Sequence, residues 1–425
     1  MSSKAIEVRI WGQSAGAVAL DPNLGYYVFA YTPEWLKAGI ELAPRTMPVA
    51  DYSGPYVFTN LGEATYHRLP AMLADALPDA FGHALINAYL LSHGKTLESI
   101  SPLDRLAYMG KRGMGALEFK PALGTRVESR DALKMQSLVE AARAAVRGEF
   151  ATEATTLAAL NRIISVGSSA GGARAKAVIA WNPGTEEIRS GQFDVDPGFE
   201  HWILKFDGVG HDPMLGAGND FGRMEYAYFL MARAAGIGMM DCRLLQENGR
   251  AHFMTRRFDR EGNEKHHLQS LCAMEHMDFK FLSKHSYAQA FMAISALGLG
   301  REATDELFRR MAFNVMARNY DDHTKNLAFL LRKGCPWALA PAYDLTYAFN
   351  PAGTWTFQHQ MSVNGKFKDI TRADLLLDAE RFGVRSPVRS LERVADALGS
   401  FDQFASEAGI PGKKAESVQR QFLRL

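Results

Sequence analysis

The spacing of apolar residues changes along the chain from strand-like to helix-like. EVRIWG, GYYVFAY and HWILKFDG are short runs of alternating or β-branched and aromatic residues bounded by turn residues, which predicts strands. GRMEYAYFLMARAAGIG, SYAQAFMAISALG and TDELFRRMAFNVMARN carry apolar residues three and four apart, which predicts helices. CRLLQ and AHFMTRRF are expected to pair as a hairpin. The pattern therefore indicates a small sheet with one helix, followed by a mainly helical half.

Two domains are predicted from where this pattern changes. Up to about residue 119, short strands are mixed with helical spacing around MLADALPDAFGHALINAYLL, which indicates an accessory α/β domain. Residues 125–155 have high helical propensity and charged edges, so they predict a connector helix. We place the boundary near residue 150, with domains 1–150 and 151–425.

The composition of the chain limits which partners it can attract by charge and which cellular compartment it predicts. The 48 basic and 47 acidic residues leave a formal charge of +1, so no global field draws the chain to nucleic acid or to an anionic membrane. The three cysteines are too far apart for a CxxC motif and too few for a disulfide framework, which predicts reduced thiols in the cytoplasm. The start lacks the apolar core of a signal peptide, and no run approaches about eighteen apolar residues. We expect no membrane segment.

The stretch GSSAGGARAK, residues 167–176, is a candidate phosphate-binding loop. Its small residues let backbone N–H groups approach phosphate oxygens, and Lys176 or Arg174 could add positive charge. Gly167 and Gly172 have the Walker A spacing, but Ala-Arg follows where Lys-Ser/Thr is required, so an ordinary P-loop is excluded. A flexible connection is the alternative.

Lys205, in the predicted strand WILKF, requires an anionic neighbour. An unpaired ammonium among large apolar side chains costs several kcal/mol to desolvate. The neighbour is either a structural carboxylate or a nucleotide phosphate. Glu225, early in the next predicted helix, is the nearest candidate carboxylate and matches the lysine–glutamate pair of protein kinases.

The stretch RNYDDHTKNLAFLL has the spacing of a kinase catalytic loop before a predicted core strand. Asp321 and Asn326 are five residues apart; in such loops the carboxylate accepts the substrate hydroxyl proton and the amide binds magnesium. Lys325 lies between them and could offset charge on the transferred phosphoryl group. Asp344, in PAYDL after an apolar run, suits a second magnesium ligand.

Two further polar residues of this loop are expected to be structural. His323 lacks the neighbouring histidines or cysteines of a metal motif, so we expect it to shape the loop through hydrogen bonds. Asp322 is expected to face solvent or to cap the loop.

In this order the motifs resemble those of the HipA family of toxin kinases from bacterial toxin–antitoxin systems. LPAMLADALPDAFGHALI resembles the segment that closes the family's N-terminal domain, GGARAKAV its loop, RRFDR its hinge, and DDHTKNLAFLL with PAYDLTYA its catalytic and metal motifs. The resemblance implies an α+β fold, with a two-lobed protein-kinase-like domain after an N-terminal α/β domain. The implied lobes are 151–254, which binds nucleotide, and 255–425, which is mainly helical.

The resemblance also implies an ATP- and Mg²⁺-dependent serine/threonine protein kinase. By matching positions, Asp321 would be the base, with Lys325 beside it, and Asn326 and Asp344 would be the magnesium ligands. Lys205 would bind phosphate. The other implied nucleotide-binding residues come from the loop, the helix after Lys205 and the hinge: Gly171, Gly172, Ala173, Lys176, Glu225, Thr255, Arg257 and Phe258.

The resemblance further implies regulation, a substrate and a partner. Family members are often silenced by autophosphorylation of a loop serine; Ser168 and Ser169 both qualify here, and counting back from GGARAK favours Ser169. Phosphate there would oppose binding of the triphosphate. The implied target is an aminoacyl-tRNA synthetase, notably the glutamyl enzyme, whose modification arrests growth and favours persistence. The implied partner is a HipB-like helix-turn-helix antitoxin, through which alone the protein would reach DNA.

Two alternative functions remain open at the level of sequence. A small-molecule phosphotransferase shares the Asp-x4-Asn loop and the later aspartate, but segment 60–95 would have no role in it. A catalytically silent corepressor of a DNA-binding partner would be free to lose Asp321, Asn326 and Asp344, all of which are present.

Overall fold

The computed structural model describes residues 4–78, 80–123, 132–147, 174–209 and 220–425, with the backbone alone for 144–147. The chain divides into two compact units, each assembled from segments that are separate in sequence. The first unit comprises Met1–Gly210, Arg256–Asp278 and Leu330–Cys335. The second comprises His211–Thr255, Phe279–Phe329 and Pro336–Leu425. The predicted boundary near residue 150 lies outside the described residues.

An antiparallel sheet opens the first unit. Ile6, Val8 and Ile10 alternate with more exposed residues and are fully buried, so one face of the first strand forms core. Trp11 and Gly12 close the first hairpin with φ of 49° and 80°, the left-handed conformations that a two-residue turn requires. The strand order is β3-β2-β1-β4, where β1 is Ala5–Ile10, β2 Gln13–Asp21, β3 Tyr26–Tyr31 and β4 Leu117–Lys120.

The helices of the first unit follow local stop and start signals. The helical stretch predicted around residues 72–91 is two helices, because Pro78 lacks the N–H that a continuous helix needs. A capping box formed by Ser101 and Asp104 begins the helix that follows the turn Leu97–Ser99. The helices are α1 Pro33–Ala38, α2 Glu63–Tyr66, α3 Ala71–Asp75, α4 Ala80–Ser92, α5 Pro102–Met109 and α6 Met135–Arg147, the last lying within the predicted connector.

Three more strands of the first unit lie side by side, and an Asn-Pro-Gly turn joins the first two. Strand β5 (Lys176–Trp181) is buried along its whole length and lies between β6 (Ile188–Ser190) and β7 (Glu200–Lys205), both antiparallel to it. The later segment of the unit adds β10 Arg260–Glu261, β11 Glu264–Lys265, β12 His267–Ser270 and helix α8 Leu271–Met274.

A buried ion network holds residues 113–115 against residues 257–260 in the first unit. The Asp259 carboxylate accepts from Arg257 Nε (2.9 Å) and Nη2 (2.8 Å), from Arg260 Nη1 (2.9 Å) and from the Gly115 N–H (2.7 Å). Both arginines also donate to the Gly113 carbonyl. Asp259 is completely buried and Arg257 is 2% exposed. The segment RRFDR, which the resemblance predicts to be a hinge, is therefore held by charge pairing inside this unit.

The second unit begins with a helix packed on a hairpin, as the sequence predicts. Helix α7 (Phe221–Ala234) lies close to strand β9 (Arg250–Arg256), which pairs with β8 (Cys242–Glu247). A Cβ at Gly222 would lie 2.1 Å from the Ala251 carbonyl oxygen, so only glycine permits this approach.

The rest of the second unit is mainly helical. Helices α9 (Tyr287–Ala296) and α10 (Gly300–Met316) confirm the two predicted by apolar spacing. The later helices are α11 Arg372–Phe382, α12 Pro387–Gly399, α13 Phe401–Glu407 and α14 Gly412–Gln419. The remaining strands are β13 His285–Ser286, β14 Ala328–Leu331 (its last two residues in the first unit), β15 Trp337–Leu339 and β16 Met361–Ser362. Across the described ranges, every helix is too short or too polar to span a bilayer.

Candidate active site

The loop that carries Asp321 connects α10 to β14 in the second unit. It ends in a 3₁₀ turn, Thr324–Asn326, whose Asn326 N–H donates to the His323 carbonyl (2.8 Å). The Asn326 side-chain amide Nδ2 donates to the main-chain carbonyl of Asp321 (2.7 Å). The two ends of the Asp-x4-Asn motif are thus bonded to each other, and the loop closes on itself.

This bond also determines which atom Asn326 can offer to a cation. Because Nδ2 is held by the Asp321 carbonyl, the amide oxygen Oδ1 is on the other side of the group, where it can act as a ligand. The Asp321 side chain is 30% exposed, so its carboxylate can be reached by a substrate hydroxyl. The motif places an accessible carboxylate beside an oriented amide.

His323 lies close to the Asp321 carboxylate and packs on the aromatic ring of Phe279. Its Nε2 is 3.7 Å from Asp321 Oδ1, and its ring centroid is 5.2 Å from that of Phe279. Within the described ranges, no three His, Cys, Asp or Glu side chains converge on a metal-sized site. Neither contact of the His323 ring is a hydrogen bond, so its predicted role in shaping the loop through hydrogen bonds stays a prediction.

Lys325 and Asp344 are connected through Tyr343. The Tyr343 hydroxyl donates to the Lys325 carbonyl (2.6 Å), while the Lys325 ammonium lies 5.2 Å from the centre of the Phe279 ring. Asp344 is the next residue after Tyr343; it is half-buried and has a left-handed φ of 54°. The structure therefore brings three predicted residues together on one loop and ties the segment of the fourth, Asp344, to that loop.

Asp322 is not solvent-facing, so the first of its two predicted roles is wrong. Its side chain is fully buried and accepts from Tyr287 Oη (2.9 Å), His359 Nδ1 (2.9 Å) and the Gln360 N–H (2.7 Å). Burial raises the pKa of the Tyr287 hydroxyl well above its ordinary value, and the charge of Asp322 raises it further, so the hydroxyl keeps the proton that it donates. The neighbour of the candidate base is an internal anchor of the loop.

Lys176 and Lys205 are opposite each other in the first unit. They are directly paired residues of β5 and β7, so their side chains leave the same face of the sheet. Lys176 is 2% exposed and Lys205 is half-buried. Two ammonium groups on one face require anionic neighbours, since like charges directly opposite each other destabilise a sheet.

The other predicted nucleotide-binding residues are distributed over both units. Glu225 is a buried residue of α7, and Thr255 pairs with Cys242 in the hairpin of the second unit. Arg257 donates its N–H to the His201 carbonyl (2.9 Å) and its guanidinium to Asp259, so these donors are used inside the first unit. Phe258 is half-buried in the first unit. The loop residues Gly171, Gly172, Ala173, Ser168 and Ser169 lie outside the described residues.

Sequence reasoning missed the residues that hold this site together. Tyr343, Phe279, Tyr287 and His359 contact the loop through pairings between distant parts of the chain. A tyrosine directly before Asp344 was visible in PAYDL, but nothing in its spacing indicated the carbonyl that it binds.

The fold and the site define a class of protein before any relative is considered. An α+β chain in which a closed Asp-x4-Asn loop leads through a β-strand and a turn to a further aspartate is kinase-like. Residues 168–424 match the HipA-like C-terminal domain, and residues 6–120 match the HipA N-terminal domain. The chain belongs to the HipA family. The family resemblance and the α+β fold class predicted from the sequence are confirmed.

Comparison with solved structures supports the fold. The fold is similar to that of a chain from the Shewanella oneidensis MR-1 toxin–antitoxin complex of HipA, HipB and operator DNA, with a TM-score of 0.65, 17% identity, and coverage of 98% of this chain and 95% of that chain. A second match is the Helicobacter pylori proinflammatory kinase CtkA, with a TM-score of 0.37, 12% identity, and coverage of 60% and 90%. No curated protein matches by sequence.

Proposed function

We propose that the protein is an ATP- and Mg²⁺-dependent serine/threonine protein kinase that acts as a HipA-type toxin in the cytoplasm. One observation carries the proposal: Asn326 donates to the main-chain carbonyl of Asp321 (2.7 Å), which sets an accessible carboxylate and an oriented amide on one short loop. In a HipA-family chain, this is the arrangement that phosphoryl transfer to a hydroxyl requires.

Asp321 acts as the base. Its carboxylate would accept the proton of the substrate hydroxyl as that oxygen bonds to the γ-phosphorus, while the bond to the β,γ-bridging oxygen breaks and ADP leaves. A positioned base of this kind accelerates a reaction by about 10²–10⁴-fold. The ammonium of Lys325, on the same loop, offsets negative charge on the transferred group. The contact of Lys325 with the Phe279 ring holds its side chain near the loop.

Asn326 and Asp344 fit a magnesium ion, because this ion prefers a few hard oxygen ligands and retains waters. Asn326 presents Oδ1 once Nδ2 is bonded to the loop, and Asp344 adds a carboxylate from the segment that Tyr343 ties to Lys325. When bound, the ion would neutralise charge on the β- and γ-phosphates.

The nucleotide would be held by groups from the glycine-rich loop, the paired strands and the hinge. Lys176 and Lys205 leave the same face of β5 and β7, so a phosphate group at that face would meet two positive charges. We assign the loop backbone of Gly171, Gly172 and Ala173 to phosphate. The hinge backbone at Thr255 and Phe258 and the carbonyl of Arg257, whose N–H is already bonded to His201, are assigned to adenine. Glu225 is proposed as the partner of Lys205.

The proposed substrate is an aminoacyl-tRNA synthetase, in particular the glutamyl enzyme, and the proposed partner is a HipB-like antitoxin. The partner is supported by the similar Shewanella protein, which was solved with HipB and operator DNA. A formal charge of +1 is consistent with DNA contact through the partner alone. Autophosphorylation of Ser169, or of Ser168, is the proposed means of silencing. The match to the HipA N-terminal domain disfavours a free-standing small-molecule phosphotransferase.

The test is transfer of labelled phosphate from ATP in a lysate of the host, followed by identification of the modified protein. Wild-type protein should label one main target, and Asp321→Gln should reduce labelling at least about 100-fold, the scale of a lost general base. Asp396→Asn, a change at an exposed aspartate of α12, is the matched control and should label normally. Equal labelling by wild type and Asp321→Gln would reject the catalytic role of Asp321. No transfer by wild type would favour the silent corepressor.

A further inference from the structure

Asp322 and its neighbour Asp321 face opposite environments. The Asp321 side chain is 30% exposed, whereas the Asp322 side chain is fully buried. Burial of a carboxylate is costly unless hydrogen bonds compensate it, and here three donors converge on its two oxygens. These bonds tie the loop backbone at Asp322, directly beside the candidate base, to three distant residues.

The hydrogen bonds that reach Asp322 through Tyr287 form a chain in which each side chain donates to the next. Asn319 Nδ2 donates to Asn314 Oδ1 (2.9 Å), Asn314 Nδ2 donates to the Tyr287 hydroxyl (2.9 Å), and Tyr287 donates to Asp322 Oδ2 (2.9 Å). His359 Nδ1 meets the same oxygen from the other side (2.9 Å). The Tyr287 hydroxyl and the Gln360 N–H both donate to Asp322, so the carboxyl oxygens are the acceptors at the centre of the network.

The network connects the catalytic loop to two other parts of the second unit. Tyr287 is the first residue of α9, and Asn314 lies near the end of α10, so the loop is held from the helical side. His359 and Gln360 belong to the segment that leads into β16, downstream of Asp344. The Gln360 N–H is held by Asp322 Oδ1 at 2.7 Å. One carboxylate thereby joins the loop of the base to the chain that follows the magnesium-ligand candidate.

We propose that Asp322 is a positioning residue for phosphoryl transfer, which clamps the 359–360 segment to the catalytic loop and so fixes the backbone that carries Asp321. This inference rests on the proposed function for its catalytic consequence. A misplacement of about 1 Å at a reacting group can cost about 100-fold in rate, so the clamp acts on turnover rather than on nucleotide binding.

Asp322→Asn is the informative variant. It keeps the shape of the side chain, but replaces one acceptor oxygen by an NH₂ group that would face the Tyr287 and His359 donors or the Gln360 N–H. Tyr287→Phe removes one donor and leaves the other two, so it is the milder variant if Asp322→Asn folds poorly. Asp396→Asn serves again as the exposed control.

Two readouts separate positioning from a general loss of structure. Steady-state transfer should show kcat reduced about 10–100-fold in Asp322→Asn, with KM for ATP within about threefold of wild type. Hydrogen exchange followed by mass spectrometry should show at least tenfold faster exchange at Gln360, whose N–H loses its acceptor, while peptides of α12 are unchanged. Tyr287→Phe should also lower kcat and speed exchange at Gln360, but by smaller factors than Asp322→Asn.

The outcomes are distinguishable. Wild-type kcat in Asp322→Asn, or unchanged exchange at Gln360, overturns the clamp. A rise in KM for ATP equal to the fall in kcat/KM also overturns it, because the residue would then act on binding. If wild-type protein transfers no phosphate, the proposed function fails, and exchange at Gln360 in the same samples still decides whether Asp322 holds the 359–360 segment.

Discussion

Replacement of Asp259 by asparagine tests the buried ion network of the first unit. The carboxylate accepts four hydrogen bonds, three of them from Arg257 and Arg260, and it is completely buried. Asparagine keeps the volume but removes the charge, which leaves two buried guanidinium groups without a compensating anion. Breaking a buried pair in this way costs about 3–5 kcal/mol, a large part of the roughly 5–15 kcal/mol by which domains are stable.

The effect of pH follows from the charges around this carboxylate. Burial alone would raise the pKa of Asp259, but Arg257 and Arg260 outweigh it and hold the pKa well below its ordinary value. The stabilisation is therefore complete above the unfolded-state pKa of about 3.9 and is lost as pH falls towards the folded-state value. Between pH 5 and pH 3, the advantage of wild type over Asp259→Asn should shrink by about 1 kcal/mol, at about 1.4 kcal/mol per pH unit below 3.9.

Urea unfolding monitored by tryptophan fluorescence is the assay. Four of the six tryptophans, Trp11, Trp35, Trp181 and Trp202, lie in the first unit, so the signal reports mainly on it. Asp51→Asn, at an exposed aspartate of the same unit, is the control and should unfold within about 0.5 kcal/mol of wild type. A loss below about 1 kcal/mol at pH 7 for Asp259→Asn, or a loss that is equal at pH 5 and pH 3, would refute the reasoning.

Two further predictions concern ligands and modification. Asp344→Asn should weaken ATP binding about tenfold or more in the presence of Mg²⁺ and leave it unchanged in EDTA, as measured by calorimetry; equal weakening in both buffers would contradict a role as metal ligand. Incubation with ATP followed by mass spectrometry should find phosphate on Ser169 or Ser168, and Ser169→Ala should lower the modified fraction; phosphate elsewhere would undo the assignment.

Much of the fold could be predicted because it depends on local pattern. Helices α7, α9 and α10 and the hairpin β8–β9 follow from apolar spacing and turn residues that lie within each segment. The stretch around 72–91 was less predictable, because its apolar spacing continues through Pro78 while the backbone does not. Local signals therefore indicated where elements lie, and a single proline decided where one of them breaks.

The residues of the candidate site were likewise predictable from local sequence only in part. Asp321 and Asn326 could be found because both lie on one loop, and their contact depends on a spacing of five residues. Asp322 was misassigned because its burial depends on Tyr287, 35 residues earlier, and His359, 37 residues later. Its charge and its place in a polar loop favoured exposure, and only tertiary packing supplies the three donors that compensate its burial.

The division of the chain into two interleaved units restricts how it can be cut. The backbone crosses from one unit to the other five times, after Gly210, Thr255, Asp278, Phe329 and Cys335. Truncation at any single position therefore leaves at least one unit without part of its sequence. A fragment that ends near residue 150, for example, would lack β5–β7 and the Arg257–Asp259–Arg260 network. Genetic dissection of this protein should accordingly rely on point substitutions, and split reporters should be inserted at surface turns rather than at a presumed domain border.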